Sequence, residues 1–239
     1  MNISAVKASK EFIRSRSDSN ILCAVASTDL SLEGGTLTAL SGPSGSGKST
    51  ILNMFAGLLA PTNGQIVLDG KDIYALDDKE LSLLRNKYFG IIPQGQSALQ
   101  SLTVLENVMV PYTLYNKSKG QEYDHKLEYA QELLKKADIW ELRGEMPSEL
   151  SGGELRRMAV CRALLMKPEV ILADEPTSDL DEENTRIVMT MLKEQSAAGA
   201  IVLVVTHDRQ VWDYADVLME MRKGVLAVST SELVNNVQE

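Results

Sequence analysis

Only two cysteines occur in this 239-residue chain, Cys23 and Cys161. That scarcity excludes a disulfide-built mini-protein. Both lie in apolar stretches, so each is expected to be a buried thiol in a reducing compartment. No run approaches the roughly 18 uninterrupted apolar residues of a membrane span, so any span must come from another chain. The N-terminal MNISAVKASKEF lacks the long apolar stretch of a secretory signal, and a cytoplasmic location is expected. Positive charge is short as well. Against 24 Lys and Arg stand 33 Asp and Glu, a net charge of −9. Such a chain is not built to grip nucleic acid non-specifically or to clamp a membrane by charge, although a local basic pocket is compatible with it. No internal repeat, heptad run or low-complexity tract is visible. What remains is globular material: 44% hydrophobic and 24% charged residues, enough to bury a core without staples.

Strand-like runs fall at Ile21–Ala26, Leu37–Leu40, Gln65–Leu68, Tyr88–Ile92, Val170–Ala173, Ile201–Val205 and Val217–Met221, with helical patterns between many of them. Such alternation predicts an α/β fold with a largely parallel sheet. The Ser/Arg-rich piece Arg14–Asn20 reads as a solvated loop between two strands. From about Leu102 to Met166 the patterns are helical only. Tyr123, Leu127, Ala130 and Leu134 share one face of a helix expected over Glu122–Ala137. The chain is therefore parsed as one domain over 1–239, with a core from 1–93 and 167–239 and a helical insert over 94–166.

The strongest motif is Gly42-Pro43-Ser44-Gly45-Ser46-Gly47-Lys48-Ser49, followed by Thr50. It fits the phosphate loop G-x-x-x-x-G-K-[ST]. A strand pattern at Thr36–Leu40 precedes it and a helical one at Ser49–Leu58 follows. The chemistry needs that context. Glycines let backbone N–H groups converge on phosphate oxygens, and a helix N-terminus adds partial positive charge. Lys48 is expected to reach the β- and γ-phosphates, and the Ser49 hydroxyl to ligate Mg²⁺. Downstream, the apolar run Val170–Ala173 delivers Asp174 and Glu175, at the strand end where open α/β sheets bind ligands. Asp174 is the expected Mg²⁺ partner, direct or through water. Glu175 is the expected residue for the attacking water. A third segment, Leu150-Ser151-Gly152-Gly153-Glu154, contains a capping box between Ser151 and Glu154 that opens a helix through Leu165. Its two glycines serve no capping purpose, but they bare N–H groups for an anion.

These motifs appear in order along one chain, with Thr206-His207-Asp208 after them. Together they resemble the nucleotide-binding subunit of ABC transporters, and the likeness covers nearly the whole chain. The resemblance implies a P-loop NTPase core with a mostly parallel sheet, an antiparallel β-subdomain and a helical insert carrying the signature segment. It implies ATP and Mg²⁺ as ligands, and a homodimer with two ATP molecules sandwiched between phosphate loop and signature. Ser151 and Gly153, flanked by Gly152 and Glu154, would then meet the γ-phosphate in trans. Gln94 matches the glutamine that touches Mg²⁺ and reports to an integral-membrane permease. The segment Ser178–Asp181 matches the one linking the two sites. His207 matches the histidine that holds the γ-phosphate, at the end of the strand Ile201–Val205. His125 is expected on the surface of the insert. Phe12 falls where an aromatic ring stacks on adenine; the alternative is a core Phe at a strand edge.

The segments Leu84–Gln94 and Leu102–Pro111 are similar to the group of macrolide-efflux, lipoprotein-releasing and cell-division ABC ATPases. Departures are Pro93 before Gln94, Glu154 for the commoner Gln, and Asp179 for a small residue. The expectation is an ATPase subunit, peripheral on the inner face of the cell membrane, that drives a separate permease in export or mechanical extrusion. The alternative is an ATPase of a cell-division signalling complex that does not transport. A binding module without turnover is disfavoured by the intact Glu175 and His207. Chromosome-maintenance ATPases carry a coiled-coil insert that is missing here.

Overall fold

The computed structural model describes residues 1–13, 21–95, 97–116 and 120–229. The strands are β1 (Asn2–Ile13), β2 (Ile21–Glu33), β3 (Leu37–Ser41), β4 (Asn63–Leu68), β5 (Lys71–Asp72), β6 (Phe89–Ile92), β7 (Val170–Asp174), β8 (Ile201–Val205), β9 (Val217–Arg222) and β10 (Val225–Ser229). The α-helices are α1 (Lys48–Phe55), α2 (Asp78–Tyr88), α3 (Val104–Thr113), α4 (Gln121–Lys136), α5 (Gly152–Leu164) and α6 (Glu182–Ala197).

Two sheets result. The central one runs β10-β9-β3-β8-β7-β6; its pairs are parallel except β10 on β9. The second runs β2-β1-β4-β5 and is antiparallel throughout. Strands β7 and β8 are buried at every residue, as continuous apolar runs in a parallel sheet covered on both faces must be. Their alternate side chains feed two apolar clusters. Ile171, Ala173, Val202 and Val204 join α3, α4, α5 and α6 on one face. Val170, Leu172, Ile201, Leu203 and Val205 join α1 and the antiparallel sheet on the other. Between β6 and β7 all described elements are helical.

Local chemistry sets the helix starts. Capping boxes open α2 (Asp77 with Glu80), α3 (Thr103 with Glu106) and α5 (Ser151 with Glu154), and Asp181 caps α6. In α4, Ala130, Leu133 and Leu134 are buried, and His125 lies on the exposed side. One buried polar side chain shapes the segment before α3. Asn107, fully buried, donates to the carbonyls of Leu99, Leu102 and Thr103 and accepts from the Leu99 amide at 2.8 Å.

Cys161 is buried as expected, and burial pushes its thiol up from the ordinary range. Several other expectations are corrected. Cys23 is exposed. The register explains the difference. Strand β4 covers β1 only as far as Asn63 opposite Ser9, whereas Cys23 pairs with Glu11 farther out, where no third strand among the described residues covers the ribbon. Tyr88 ends α2 instead of starting β6. Helix α1 stops at Phe55, and Leu58 is exposed. Strand β2 runs on to Glu33, and β10 extends the sheet beyond the strands read from sequence. The loop expected over Arg14–Asn20 lies outside the described residues.

Candidate active site

The phosphate loop lies between β3 and α1, and two of its glycines, Gly42 and Gly47, allow close approach. Gly47 adopts φ +107, and a Cβ on it would sit 2.2 Å from the Ala24 carbonyl oxygen of β2. A Cβ on Gly42 would sit 2.1 Å from the Met221 carbonyl oxygen of β9. Only glycine fits where two backbones meet in this way. The loop is braced from behind. The Ser46 carbonyl accepts from the Gly224 amide at 2.8 Å, and the Gly224 carbonyl accepts from the Ala26 amide at 2.8 Å. Lys223 and Gly224 both take positive φ, as a tight turn between β9 and β10 requires. The first turn of α1 holds no acidic residue, so its dipole faces the loop unopposed. Lys48 is buried, with its ammonium donating to the carbonyls of Gly42 at 2.8 Å and Pro43 at 3.1 Å. Pro43, Ser44 and Gly45 are exposed at the loop's rim.

Asp174 and Glu175 emerge from the C-terminal end of β7, beside β3 in the sheet order only through β8. Asp174 is buried, close to the Ser49 hydroxyl. Burial pushes its carboxyl up; the nearby Ser49 hydroxyl and the Lys48 and Arg156 charges pull it back. Its Oδ1 has no partner among the described residues, and neither has the buried Ser46 hydroxyl. An orphaned carboxylate oxygen beside a hydroxyl fits a small oxygen-seeking dication that keeps most of its shell for phosphate and water. Among the described residues no cluster of three or more His, Cys, Asp or Glu forms an all-protein metal cage.

Glu175 takes φ +51, an uncommon conformation for a non-glycine residue and one that clusters at functional sites. Its amide donates to Val205 O at 2.8 Å, and its carbonyl accepts from Ser178 N at 3.2 Å. The turn re-aims the side chain so that Oε1 lies 2.8 Å from His207 Nδ1. The carboxylate is nearly buried and the imidazole three-quarters exposed, at 9% and 75%. Asp208 fixes the histidine's neighbourhood by accepting from Gln210 N and Thr177 Oγ1. Lys48, Ser49, Asp174, Glu175 and His207 thus gather at the C-terminal edge of β3, β7 and β8.

Other expected residues stand apart. Among the described residues no hydrogen bond joins Ser151–Glu154 to residues 42–50. Ser151 Oγ and its amide both donate to Glu154 Oε2 at 2.7 Å, holding that carboxylate below its usual range. A Cβ on Gly152 would meet open space, so nothing among the described residues demands a glycine there. Gln94 is exposed, and its carbonyl accepts from Arg156. Asp181 accepts from the Asn184 amide as the cap of α6. Phe12 is 38% exposed near the open end of the β1–β2 ribbon, with Lys10 Nζ 5.4 Å from its ring centroid, so it is not a core residue.

Sequence reasoning passed over Arg156 and Arg157. Arg157 is buried in α5 and bonds Asn184 of α6; Arg156 bonds three acceptors. The available signal was two adjacent arginines in a helix whose other residues are largely apolar, since buried guanidinium groups must find partners.

Comparison with known proteins decides the family. The family profile described as ABC transporter matches residues 25–178. The chain belongs to the ABC transporter ATPase family. It is 36% identical to the lipoprotein-releasing system ATP-binding protein LolD of Buchnera aphidicola, over 94% of this chain and 95% of that protein. It is 38% identical to the macrolide export ATP-binding/permease protein MacB of Vibrio parahaemolyticus, over 84% of this chain but only 30% of that longer protein. In structure it resembles the dimeric bacterial ABC transporter cassette MJ0796, with a TM-score of 0.85 and 33% identity over 93% of this chain and 95% of that one. A post-hydrolysis dimer of the same cassette, bound to ADP and Pi, aligns with a TM-score of 0.86 and 31% identity over 95% of this chain and 98% of that one. The ABC cassette here is an ATPase of mixed α/β architecture. Among its described residues no helix is long and apolar enough to cross a membrane.

Proposed function

We propose that this cassette hydrolyses ATP as the motor of a transporter, pairing with a second copy on ATP and driving a separate integral-membrane permease. The observation that carries the reading is the Glu175–His207 contact at the sheet edge beside the Lys48–Ser49 loop. Phosphoryl transfer is mostly positioning and charge neutralisation. Amides of residues 42–50 and the Lys48 ammonium cradle the phosphates. Glu175 accepts a hydrogen bond from the attacking water and orients it. His207, on the exposed side of Glu175, reaches the γ-phosphate. Ser49, Asp174 and Gln94 would hold Mg²⁺, which would neutralise phosphate charge.

Each site is completed by Ser151, Gly153 and the α5 N-terminus of the partner copy. The open space at Gly152 supports this, because no described residue of its own chain fills it. Phe12 offers a π-face to adenine from the β1–β2 ribbon. Similarity to proteins named for lipoprotein release and macrolide export supports substrate extrusion, with the cassette seated on the inner face of the cell membrane through its permease. The test is Mg²⁺-dependent ATP turnover with Glu175→Gln as control. A loss of about 10²–10⁴-fold in kcat is expected, with ATP binding retained. Equal turnover in the two proteins would remove Glu175 from the mechanism.

A further inference from the structure

We infer that Arg156 is a positioning residue for hydrolysis: its guanidinium ties the Gln94 turn to the turn carrying Glu175. The inference rests on the ATPase reading above.

The guanidinium makes three hydrogen bonds to two segments distant in sequence. Nη1 donates to Pro93 O at 2.9 Å, and Nη2 donates to Gln94 O at 2.8 Å and Ser178 Oγ at 2.9 Å. A planar fork can span such acceptors; an ammonium cannot reproduce it. Ser178 is the receiving point because of what it holds. Its amide donates to Glu175 O at 3.2 Å. Glu175 at φ +51 and Asp179 at φ +62 put left-handed residues at both ends of this short turn. Such conformations persist only where the surroundings over-determine them. Besides the Glu175 contact with His207, the turn is anchored by Thr177 to Asp208 on one side and Ser178 to Arg156 on the other.

Arg156 is not a packing filler. It borders an open groove of about 260 Å³ together with Gln94, Ser97, Leu155 and Asp179. Partial burial pulls its guanidinium down from its ordinary value, while the charges of Asp179, Asp174 and Glu175 oppose that shift. The acidic cluster thus compensates a charge that the fold has partly taken out of water. The Pro93 carbonyl and the Asp179 charge both meet this one arginine. A displacement of the Gln94 turn is transmitted to Ser178, and from there to the backbone of Glu175, without passing through the phosphate loop.

The separable prediction is a loss in kcat without a loss in nucleotide affinity. The experiment uses the full chain as wild type, Arg156→Gln, Arg156→Lys, Ser178→Ala and the Arg156→Gln/Ser178→Ala double variant. Three quantities are read: Kd for trinitrophenyl-ATP by fluorescence, kcat and KM for Mg-ATP, and the thermal midpoint. Arg156→Gln is expected to lower kcat about 10–100-fold, the scale of a small misplacement of a reacting group, with Kd and KM within about twofold of wild type. Ser178→Ala is expected to lower kcat as well, and the double variant to match Arg156→Gln alone, because both act through one contact. Arg156→Lys stays well below wild type; full recovery by lysine would assign the effect to charge and overturn the positioning role. So would an unchanged kcat in Arg156→Gln, losses that multiply in the double variant, or a Kd that worsens in step with kcat. If Arg156→Gln does not fold, Ser178→Ala decides, since it removes one hydroxyl: reduced kcat with binding intact supports the inference and unchanged kcat overturns it. Absence of ATP turnover in the wild type would instead refute the ATPase reading. Turnover abolished by Glu175→Gln but untouched in the Arg156 and Ser178 variants defeats this inference alone.

Discussion

Gly47→Ala and Gly45→Ala change neighbouring positions of one loop by the same methyl group, and the structure separates their costs. Both glycines hold positive φ, +107 at Gly47 and +74 at Gly45. An L-residue in that region costs about 1–2 kcal/mol. At Gly45 nothing lies within 4 Å of the added Cβ, so strain is the whole effect. At Gly47 the Cβ would stand 2.2 Å from Ala24 O and 3.0 Å from Met221 Cε. The Ala24 carbonyl belongs to a strand backbone and cannot rotate away. Either β2 or the loop must shift by roughly an ångström, and overpacking of this kind costs about 1–3 kcal/mol more. Gly47→Ala therefore costs about 2–5 kcal/mol against about 1–2 for Gly45→Ala. For a chain of this size each kcal/mol lowers Tm by roughly 2–4 °C, giving a drop of roughly 4–20 °C against roughly 2–8 °C. Scanning calorimetry without nucleotide measures the difference. Equal midpoints for the two variants would refute the argument, because they would show that the loop does not rest on β2.

Two further predictions concern stability. Asn107→Leu keeps the heavy-atom count and branching but orphans the Leu99 amide and the Leu102 carbonyl, among others; a loss of about 2–4 kcal/mol is expected in urea titration, and a loss under 1 kcal/mol would contradict the hydrogen-bond account. Asp216 is held below the usual carboxylate range by its bond to Lys193 Nζ at 2.6 Å and by the Leu37 amide at 2.8 Å. A depressed carboxyl contributes stability above its unfolded pKa and loses it as pH falls through the folded one. Since Asp216 is 43% exposed, solvent screening limits the contribution to about 1 kcal/mol. Asp216→Asn should therefore lower Tm by roughly 2–4 °C at pH 7 and by progressively less toward about pH 3; a gap that widens on acidification would show the sign to be wrong.

How far the sequence could be read depended on the range of the interactions. Residues 42–50 carry their own geometry, because a strand, a glycine-rich turn and a helix start are local events. The capping box of Ser151 and Glu154 was legible for the same reason. Cys23 was misjudged because its stretch, Ile-Leu-Cys-Ala-Val, has the composition of a core strand. Its exposure follows from where β4 stops pairing with β1, and no local pattern records that. The sequence placed Glu175 and His207 at the ends of two strands, while their 2.8 Å contact needed the parallel pairing of β7 and β8 and a left-handed residue after the strand. Arg156 was invisible because its three acceptors include two main-chain carbonyls, which any residue type could supply. Gly224 behind the phosphate loop was missed with β10, a short edge strand past the last strand read from sequence.

The most direct measurement is light scattering coupled to size-exclusion chromatography on Glu175→Gln, with and without ATP. The variant keeps the phosphate loop and the signature segment but loses the carboxylate assigned to water. The account predicts a monomer without nucleotide and a dimer with ATP, the dimer lost again when Ser151→Arg or Gly153→Arg is added. A species that stays monomeric at full ATP occupancy, shown by bound fluorescent nucleotide, would contradict the sandwich and the placement of Ser151 and Gly153 across it.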